Sequence, residues 1–513
     1  MALLGSLIAR SLRIRKQFTI QTGTPRAYQV QVFKRLLRKA RNTQFGKFYH
    51  FKDLLKSDNA LDEFRKKVPY HNYNQMYNRW WKFCQEGEAN VCWPGRVKYF
   101  ALSSGTSESS SKHIPVTDDM IRSTKKAGFK QFYSMQNFDL PSGVFEKGIL
   151  MLGGTTSLFE RGDYYEGDMS GISAKNMPRW LSFLFYKPGQ SISKRQRWED
   201  RIRLIVRKAP TWNVGTVCGV PAWVQIVFEE IIRYHKVNTI HDIWPNLTLY
   251  IHGGVSFEPY RESFKNLLAR PITYIETYMA SEGSFGFQAR PGTPGIKLIL
   301  NNSIFYEFVP FNEENFTEEG EIRPEARSYL IHEVVKDKEY AVVLSTCAGA
   351  WRYLIGDVIR FTSVRESEFV IVGRTKQFLS LCGEHLSVDN MNKAIDEVQK
   401  KLNISIKEFT VAGFKDEGHF AHKWYIGCDD LVNPDQVLAL IDQSLCRMND
   451  DYAVERESAL KKLYIEVLPP STFIGFLQAT GKYGAMNKFP RVLKNAQHEA
   501  WDKFIATQAI QSI

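Results

Sequence analysis

The chain is poor in cysteine, and its cysteines are badly placed to pair. Cys84, Cys92, Cys218, Cys347, Cys382, Cys428 and Cys446 are odd in number, widely spaced and without a CxxC pair. That pattern argues against a disulfide frame or a zinc site and for reduced thiols in a cytoplasmic protein. No apolar run approaches the ~18 residues of a membrane helix, so no stable membrane insertion is expected. Neither GxSxG nor HExxH nor GxGxxG nor GxxxxGK[ST] occurs. The serine-hydrolase, zincin, dinucleotide and Walker readings therefore lack support. His419-x-x-His422 with Cys428 nearby is weakly metal-like and reads better as ordinary surface or core histidines. There is no internal repeat, no long low-complexity tract, and no RNA-binding aromatic motif or zinc finger. No nucleic-acid partner is expected.

What is present is a folding composition. Of 513 residues, 43% are hydrophobic and 24% charged, which excludes a disordered chain. The length exceeds one ordinary core, so two or more domains are expected. The formal net charge of +13 favours anionic partners in general. Its densest run, "KRLLRKARN" from Lys34, reads as a helix with a solvated basic side, because Phe33, Leu36, Leu37 and Ala40 fall at helical spacing. In "MALLGSLIARSLRIRK" the arginines follow the apolar part, the reverse of a secretory signal, so an amphipathic first helix is expected there.

Local signals organise the rest. Thr24 caps a helix with Pro25 at its first position. "VKYFALSS" reads as a strand entering a serine-rich loop, and "HIPVT" as a second strand. Thr117 then caps a helix whose first turn carries Asp118 and Asp119. "NLTLYIHGGVSFEPYRESFKNLL" reads as strand, glycine turn, helix. "ITYIETYMASEGSFGFQ" reads as strand, tight turn, strand. Strands and helices mix throughout the first ~370 residues, which argues for an α/β architecture. Beyond "GRTKQFLSLCGEHLS", three strand candidates and a helix from Asn433-Pro434 form a compact α+β unit. The boundary is placed at 374/375, with Gly373 and Arg374 at the hinge: domains 1–374 and 375–513.

Five loops could carry chemistry. "SSGTSESSSK" offers backbone N–H groups, hydroxyls and Lys112, a set suited to an anion; a plain serine-rich turn fits as well. Gly253-Gly254 ends a strand, where ligands of α/β sheets gather. "TYMASEGSFG" sets Tyr278, Ser281 and Glu282 around a turn, a ring to stack on a base and a carboxylate to hold Mg²⁺ near phosphates. Gly356-Asp357 precedes a strand, and an Asp there could accept both hydroxyls of a ribose. Lys488 and Arg491 flank Phe489-Pro490 in the small domain. Taken singly, each is as readily an ordinary turn or basic loop.

Taken in order, these signals resemble the acyl-adenylate-forming superfamily and, within it, the Gretchen Hagen auxin-responsive family of acyl acid amido synthetases. The matching stretches are "RNTQFGKFYHF", "SSGTSESSSKHIPVT", "IHGGVSFEPYRESF", "ETYMASEGSFGFQ", "YLIGDVIRF", "GRTKQFLSLCGEHLS" and "NKFPRVLK", spread over residues 41 to 494. "GRTKQFLSLCGEHLS" looks more like the family's non-plant branch. The resemblance implies a two-domain α/β fold. A large N-terminal domain would have sheets flanked by helices plus a small barrel, and a small mobile α+β C-terminal domain would rotate over it.

It also implies roles. Ser103, Ser104, Gly105, Thr106 and Ser107, with Lys112, would hold the phosphates of ATP. Gly253, Gly254, Thr277 and Tyr278 would line the adenine, Asp357 would bind the ribose with Arg374 nearby, and Glu282 would position Mg²⁺. Lys488 would stabilise the adenylation transition state. Two departures stand out: Glu108 and Ser109 where many relatives carry glycine or small polar residues, and Trp351 where plant members often carry tyrosine.

The chemistry fits these residues. A substrate carboxylate attacks the α-phosphorus itself, so the protein needs positioning and positive charge, not a nucleophile. Acyl-AMP and pyrophosphate form, and an amino acid's amine then takes the acyl group. The expected partners are thus a small carboxylic acid and an amino acid, with ATP and Mg²⁺ as cofactors and the protein a monomer. Val214, Val217, Val220 and Trp223 are acyl-pocket candidates, and ordinary helix core accounts for them equally. Two rivals stay open: a thioester ligase using coenzyme A, and a non-catalytic nucleotide- or anion-binding protein on the same fold.

Overall fold

The computed structural model describes residues 23–103, 112–254, 257, 260–317, 320–376, 379, 384, 386–416, 419–457, 460–483 and 488–511. The helix expected at the start of the chain lies outside these residues, as do Ser104, Gly105, Thr106, Ser107 and Glu108.

Helix starts follow the caps. Thr24 Oγ1 accepts the Ala27 N–H at 3.2 Å and opens the helix Pro25–Ala40. Its Val32, Phe33, Leu36, Leu37 and Ala40 form one buried face. Burying side chains of this size contributes roughly 1.5–3 kcal/mol each. Thr117 Oγ1 accepts from Met120 N–H at 3.1 Å and opens the helix Asp118–Ser134. Asn433 does the same for the helix Pro434–Met448.

In chain order the strands are β1 (Tyr99–Ser103), β2 (Lys112–Val116), β3 (Gly148–Leu152), β4 (Phe159–Arg161), β5 (Tyr164–Gly167), β6 (Tyr186–Lys187), β7 (Val214–Gly219) and β8 (Leu249–Gly253). Then come β9 (Thr273–Ala280), β10 (Gly283–Phe287), β11 (Ile296–Leu298), β12 (Ile304–Pro310), β13 (Glu339–Thr346), β14 (Tyr353–Ser363) and β15 (Glu368–Arg374). The last four are β16 (Ile406–Asp416), β17 (His419–Cys428), β18 (Leu460–Leu468) and β19 (Val492–Leu493).

The described residues fall into two compact units, the second made of 371–513 with the short excursions 256–266 and 318–321. In the first unit a small sheet runs β2-β1-β5-β4, and a large one runs β12-β13-β14-β15-β11-β10-β9-β8-β7-β3-β6. From β9 to β6 the large sheet is parallel. Beyond β9 it turns antiparallel through β10, β11 and β15. The parallel part carries helices such as Pro221–His235, whose Trp223, Val224, Val227, Phe228 and Ile231 are buried.

In the second unit, β18-β17-β16-β19 form one sheet. One core holds Ile406, Phe409, Trp424 and Ile426 with the helices Val388–Leu402 and Pro434–Met448. His422 on β17 is buried, with Nε2 2.9 Å from Glu384 Oε1.

Candidate functional site

Two non-neighbouring strands meet at the centre of the first unit. Tyr278 on β9 donates its hydroxyl to Asp357 Oδ2 on β14. Four strand spacings separate them in the sheet order, about 19 Å if the sheet were flat. A hydrogen bond across that interval requires the antiparallel half to curl into a barrel-like wall. Aromatic rings fill its inside: Tyr278 lies 4.7 Å from Phe285 and 5.8 Å from Phe369. Tyr278 itself is 6% exposed.

Asp357 corrects one expectation. It lies within β14, not ahead of a strand. The β13–β14 ladder pairs Ala341 with Val358 and then Val343 with Leu354, so β14 carries extra residues there. Gly356 takes the left-handed backbone this bulge needs, with φ 90°. A bulge re-aims the side chain beside it, here the carboxylate of Asp357.

The glycine turn sits next door. Gly253 ends β8 opposite Thr277, and a Cβ on Gly253 would overlap the Thr277 carbonyl oxygen. Gly254 follows with φ 86°. The α-helix expected directly after the glycines starts at Arg261, after Gly254 turns the chain out of the strand. Glu282 lies in the tight turn between β9 and β10, only 7% exposed. Gly253, Gly254, Thr277, Tyr278 and Glu282 thus gather at the carboxyl ends of β8 and β9, and the Tyr278 hydroxyl ties Asp357 to them. Arg374 closes β15 and belongs to the second unit.

The serine-rich loop is the connection of a β-hairpin. Ser103, the last residue of β1, pairs with Lys112, the first of β2. Lys112 Nζ stands 5.4 Å from the ring of Tyr73, and the Tyr73 hydroxyl accepts the His113 N–H at 2.9 Å.

In the second unit Lys488 is exposed, and the residues that follow it are firmly held. Phe489 is buried 4.9 Å from both Phe473 and Trp501. Arg491 pairs with Glu408, donates to Phe409 O at 2.8 Å and stands 4.2 Å from the Phe409 ring.

The acyl candidates lie in core positions. Val214 and Val217 are fully buried on β7, and Trp223 meets Trp198 edge-on at 5.2 Å. Val220 precedes the helix Pro221–His235 and is half-buried. Burial pushes the thiols of Cys218 and Cys347 up to about 12, which leaves neither as a thiolate. Sequence reasoning missed a polar cluster around Thr156, Asp168 and Arg201. Its one local signal is "GGTTS" directly after β3, a run as rich in glycine and hydroxyls as the hairpin loop.

One carboxylate, Glu282, fits an Mg²⁺ carried in with nucleotide phosphates, since such ions use one or two protein carboxylates. No group of three or more His, Cys, Asp or Glu that could cage a metal occurs among the described residues. Nor is any described helix long and apolar enough to cross a membrane.

Comparison with known proteins joins these pieces. The chain matches the GH3 family N-terminal domain over residues 14–156, the central domain over 297–374 and the C-terminal domain over 389–497. It is 22% identical over 550 residues to jasmonoyl–L-amino acid synthetase JAR6 of Nicotiana attenuata, covering 93% of this chain and 92% of that one. It is 28% identical over 258 residues to indole-3-acetic acid-amido synthetase GH3.3 of Arabidopsis thaliana, covering 46% and 41%. Among solved structures it resembles GH3.15 acyl acid amido synthetase, with a TM-score of 0.76 at 16% identity over 97% of this chain and 96% of that one. A 2-hydroxyisobutyryl-CoA ligase in its postadenylation state follows at a TM-score of 0.57 and 13% identity, covering 95% and 92%.

Proposed function

Because the chain belongs to the GH3 family, we propose that it is an ATP-dependent acyl acid amido synthetase. It activates a small carboxylic acid as acyl-AMP, releases pyrophosphate, and passes the acyl group to the amine of an amino acid. The observation that carries the reading is the Tyr278–Asp357 hydrogen bond, which ties the ribose candidate to the adenine candidates Gly253, Gly254 and Thr277.

Each residue type suits its step. Adenine rests against the glycine turn and the Tyr278 ring; the absence of a Cβ on Gly253 lets Thr277 pack close, and Gly254 supplies the turn. Asp357 accepts from the ribose hydroxyls. Ser103 to Ser107 and Lys112 hold the phosphates with hydroxyls, N–H groups and a point charge. Glu282 would hold Mg²⁺, which would supply positive charge to the phosphates. Lys488 neutralises charge that grows on the α-phosphate during attack. The substrate carboxylate forms the new bond to phosphorus as the bond to pyrophosphate breaks, so no side chain acts as nucleophile. Residues 375–513 form the mobile domain that brings Lys488 in, and Arg374 stands at its hinge.

The test is pyrophosphate release from ATP and Mg²⁺ across a panel of carboxylic acids, with hydroxylamine trapping the adenylate. Release that depends on one acid class is expected. Silence across a broad aromatic and aliphatic panel, from folded protein, would overturn the reading. Coenzyme A tested against amino acids as acceptor separates amide from thioester formation.

A further inference from the structure

Charge is distributed very unevenly along this chain. The first 52 residues hold twelve Lys and Arg and no Asp or Glu, so all but one unit of the formal net charge of +13 lies ahead of Asp53. From Asp53 onward the two signs nearly cancel. The proposed reaction leaves this excess unexplained, since every residue assigned to it lies further along the chain.

Eight of the twelve cations lie in the described residues, and the fold gathers several of them on one side. The helix Pro25–Ala40 buries Val32, Phe33, Leu36, Leu37 and Ala40. That leaves Lys34, Arg38 and Arg41 exposed at i, i+4 and i+7, a stripe about 10 Å long. Arg41 continues it into a second cluster. With Asn42, Lys52, Leu55 and Lys56 it lines an open cavity of about 400 Å³. Acids do little to offset the charge. Lys39 pairs with Asp119 at 2.7 Å and Lys56 with Asp53 at 3.9 Å. Lys34, Arg38, Arg41 and Lys52 form no ion pair among the described residues. The helix dipole accounts for Arg38 in the last turn, but not for Lys34 or for the lack of acids. Like charges at helical spacing repel one another, and a negatively charged surface would offset that repulsion.

We propose that this cationic side is a docking surface for a bilayer bearing anionic phospholipids. Headgroups lie over Lys34 and Arg38 and at the cavity of Arg41, Lys52 and Lys56. The contact is peripheral, as no described helix is long and apolar enough to cross a membrane. Two observations favour lipid over nucleic acid as the polyanion. The cavity among the cations is partly apolar, through Leu55. The sequence also opens with "MALLGSLIA", an uncharged stretch ahead of Arg10. Apolar residues joined to basic ones suit the boundary of headgroup and acyl chain, whereas a nucleic acid has no use for Leu3, Leu4, Leu7 and Ile8. The inference is independent of the amido synthetase reading.

The experiment floats the full chain with vesicles of phosphatidylcholine, with or without phosphatidylserine. Binding is expected only where phosphatidylserine is present, and it should weaken as salt rises. Each cation near such a surface is worth about fivefold in affinity, so Lys34→Glu with Arg38→Glu and Arg41→Glu should lower it about 100-fold. Lys52→Glu with Lys56→Glu should lower it about 25-fold and serves if the triple variant fails to fold. Arg233→Glu with Lys336→Glu and Arg365→Glu changes the net charge as much at exposed positions elsewhere and should bind like the wild type. An equal loss in that control overturns the surface. So does equal binding to neutral vesicles, or unchanged affinity in the folded stripe and cavity variants. If single-stranded RNA at the same phosphate concentration strips the protein from the vesicles, lipid is overturned as the occupant.

Discussion

The wall that carries Tyr278 and Asp357 and the segment that carries Lys488 solve opposite problems. Tyr278 is buried among rings, and its hydroxyl fixes the carboxylate of a strand four spacings away. Lys488 is exposed, while its neighbours Phe489 and Arg491 are anchored in the second unit. Recognition of a rigid nucleotide gains from groups already in place. A charge needed only in the transition state gains from a side chain that arrives late. On the proposed assignment, burial is invested where the nucleotide would bind, and the cation proposed for the transition state is left exposed.

The sharpest way to break this contrast is Lys488→Ala. Adenylation measured by pyrophosphate exchange should drop about 10²–10³-fold, with thermal stability unchanged because the side chain is exposed. A large loss of stability would show that Lys488 is structural.

The wall should instead answer to pH, through His71, which forms a β-bridge with Tyr353 at the start of β14. His71 is 3% exposed, with Nδ1 2.8 Å from Trp351 O, and burial holds its pKa down at about 4. Above pH 6.5 it is neutral folded or unfolded. Below that the unfolded chain takes up a proton that the folded chain refuses, so stability falls as pH drops from 6.5 to about 4. The full difference is roughly 3 kcal/mol. Urea unfolding of His71→Asn, compared with wild type at pH 7 and pH 4.5, should show a shallower decline.

Asp357→Asn should raise KM for ATP about 10- to 100-fold, the size of a lost charge-assisted hydrogen bond. The Lys488 variant should instead lose kcat, so the two kinetic signatures separate. Comparable in size is Gly253→Ala. The added methyl must displace the Thr277 backbone, at about 1–3 kcal/mol, read as a lowered Tm with weaker ATP binding.

How much of this was legible in the sequence depended on range. Thr24, Thr117 and Asn433 mark helix starts through a bond to a residue two or three positions on, so the letters alone suffice. The β9–β10 hairpin was likewise readable from "TYMASEGSFG". The "GD" pair flagged Asp357 as a ligand candidate. Its place inside a bulge was hidden, because a bulge exists only against the register of β13. The Thr156–Asp168–Arg201 cluster was invisible for the same reason. Its members come from a loop after β3 of the large sheet, a helix cap after β5 of the small sheet and a second helix, so only the tertiary fold brings them together. Val214, Val217 and Trp223 were correctly suspected of burial, but periodicity says nothing of what they are buried against.

The pairing of Ser103 with Lys112 fixes both ends of the connection 104–111 at the tip of a ladder. Opposite residues of such a ladder lie about 5 Å apart, so the strands, not the connection, bear the entropy of closure. Doubling the length of that connection would cost only about 0.6 kcal/mol. The segment is thus an exchangeable cassette: loops of other lengths and charges can be spliced between Ser103 and Lys112 while the scaffold keeps its shape. If the proposed phosphate role holds, that gives protein engineers a place to retune phosphate affinity without rebuilding the fold.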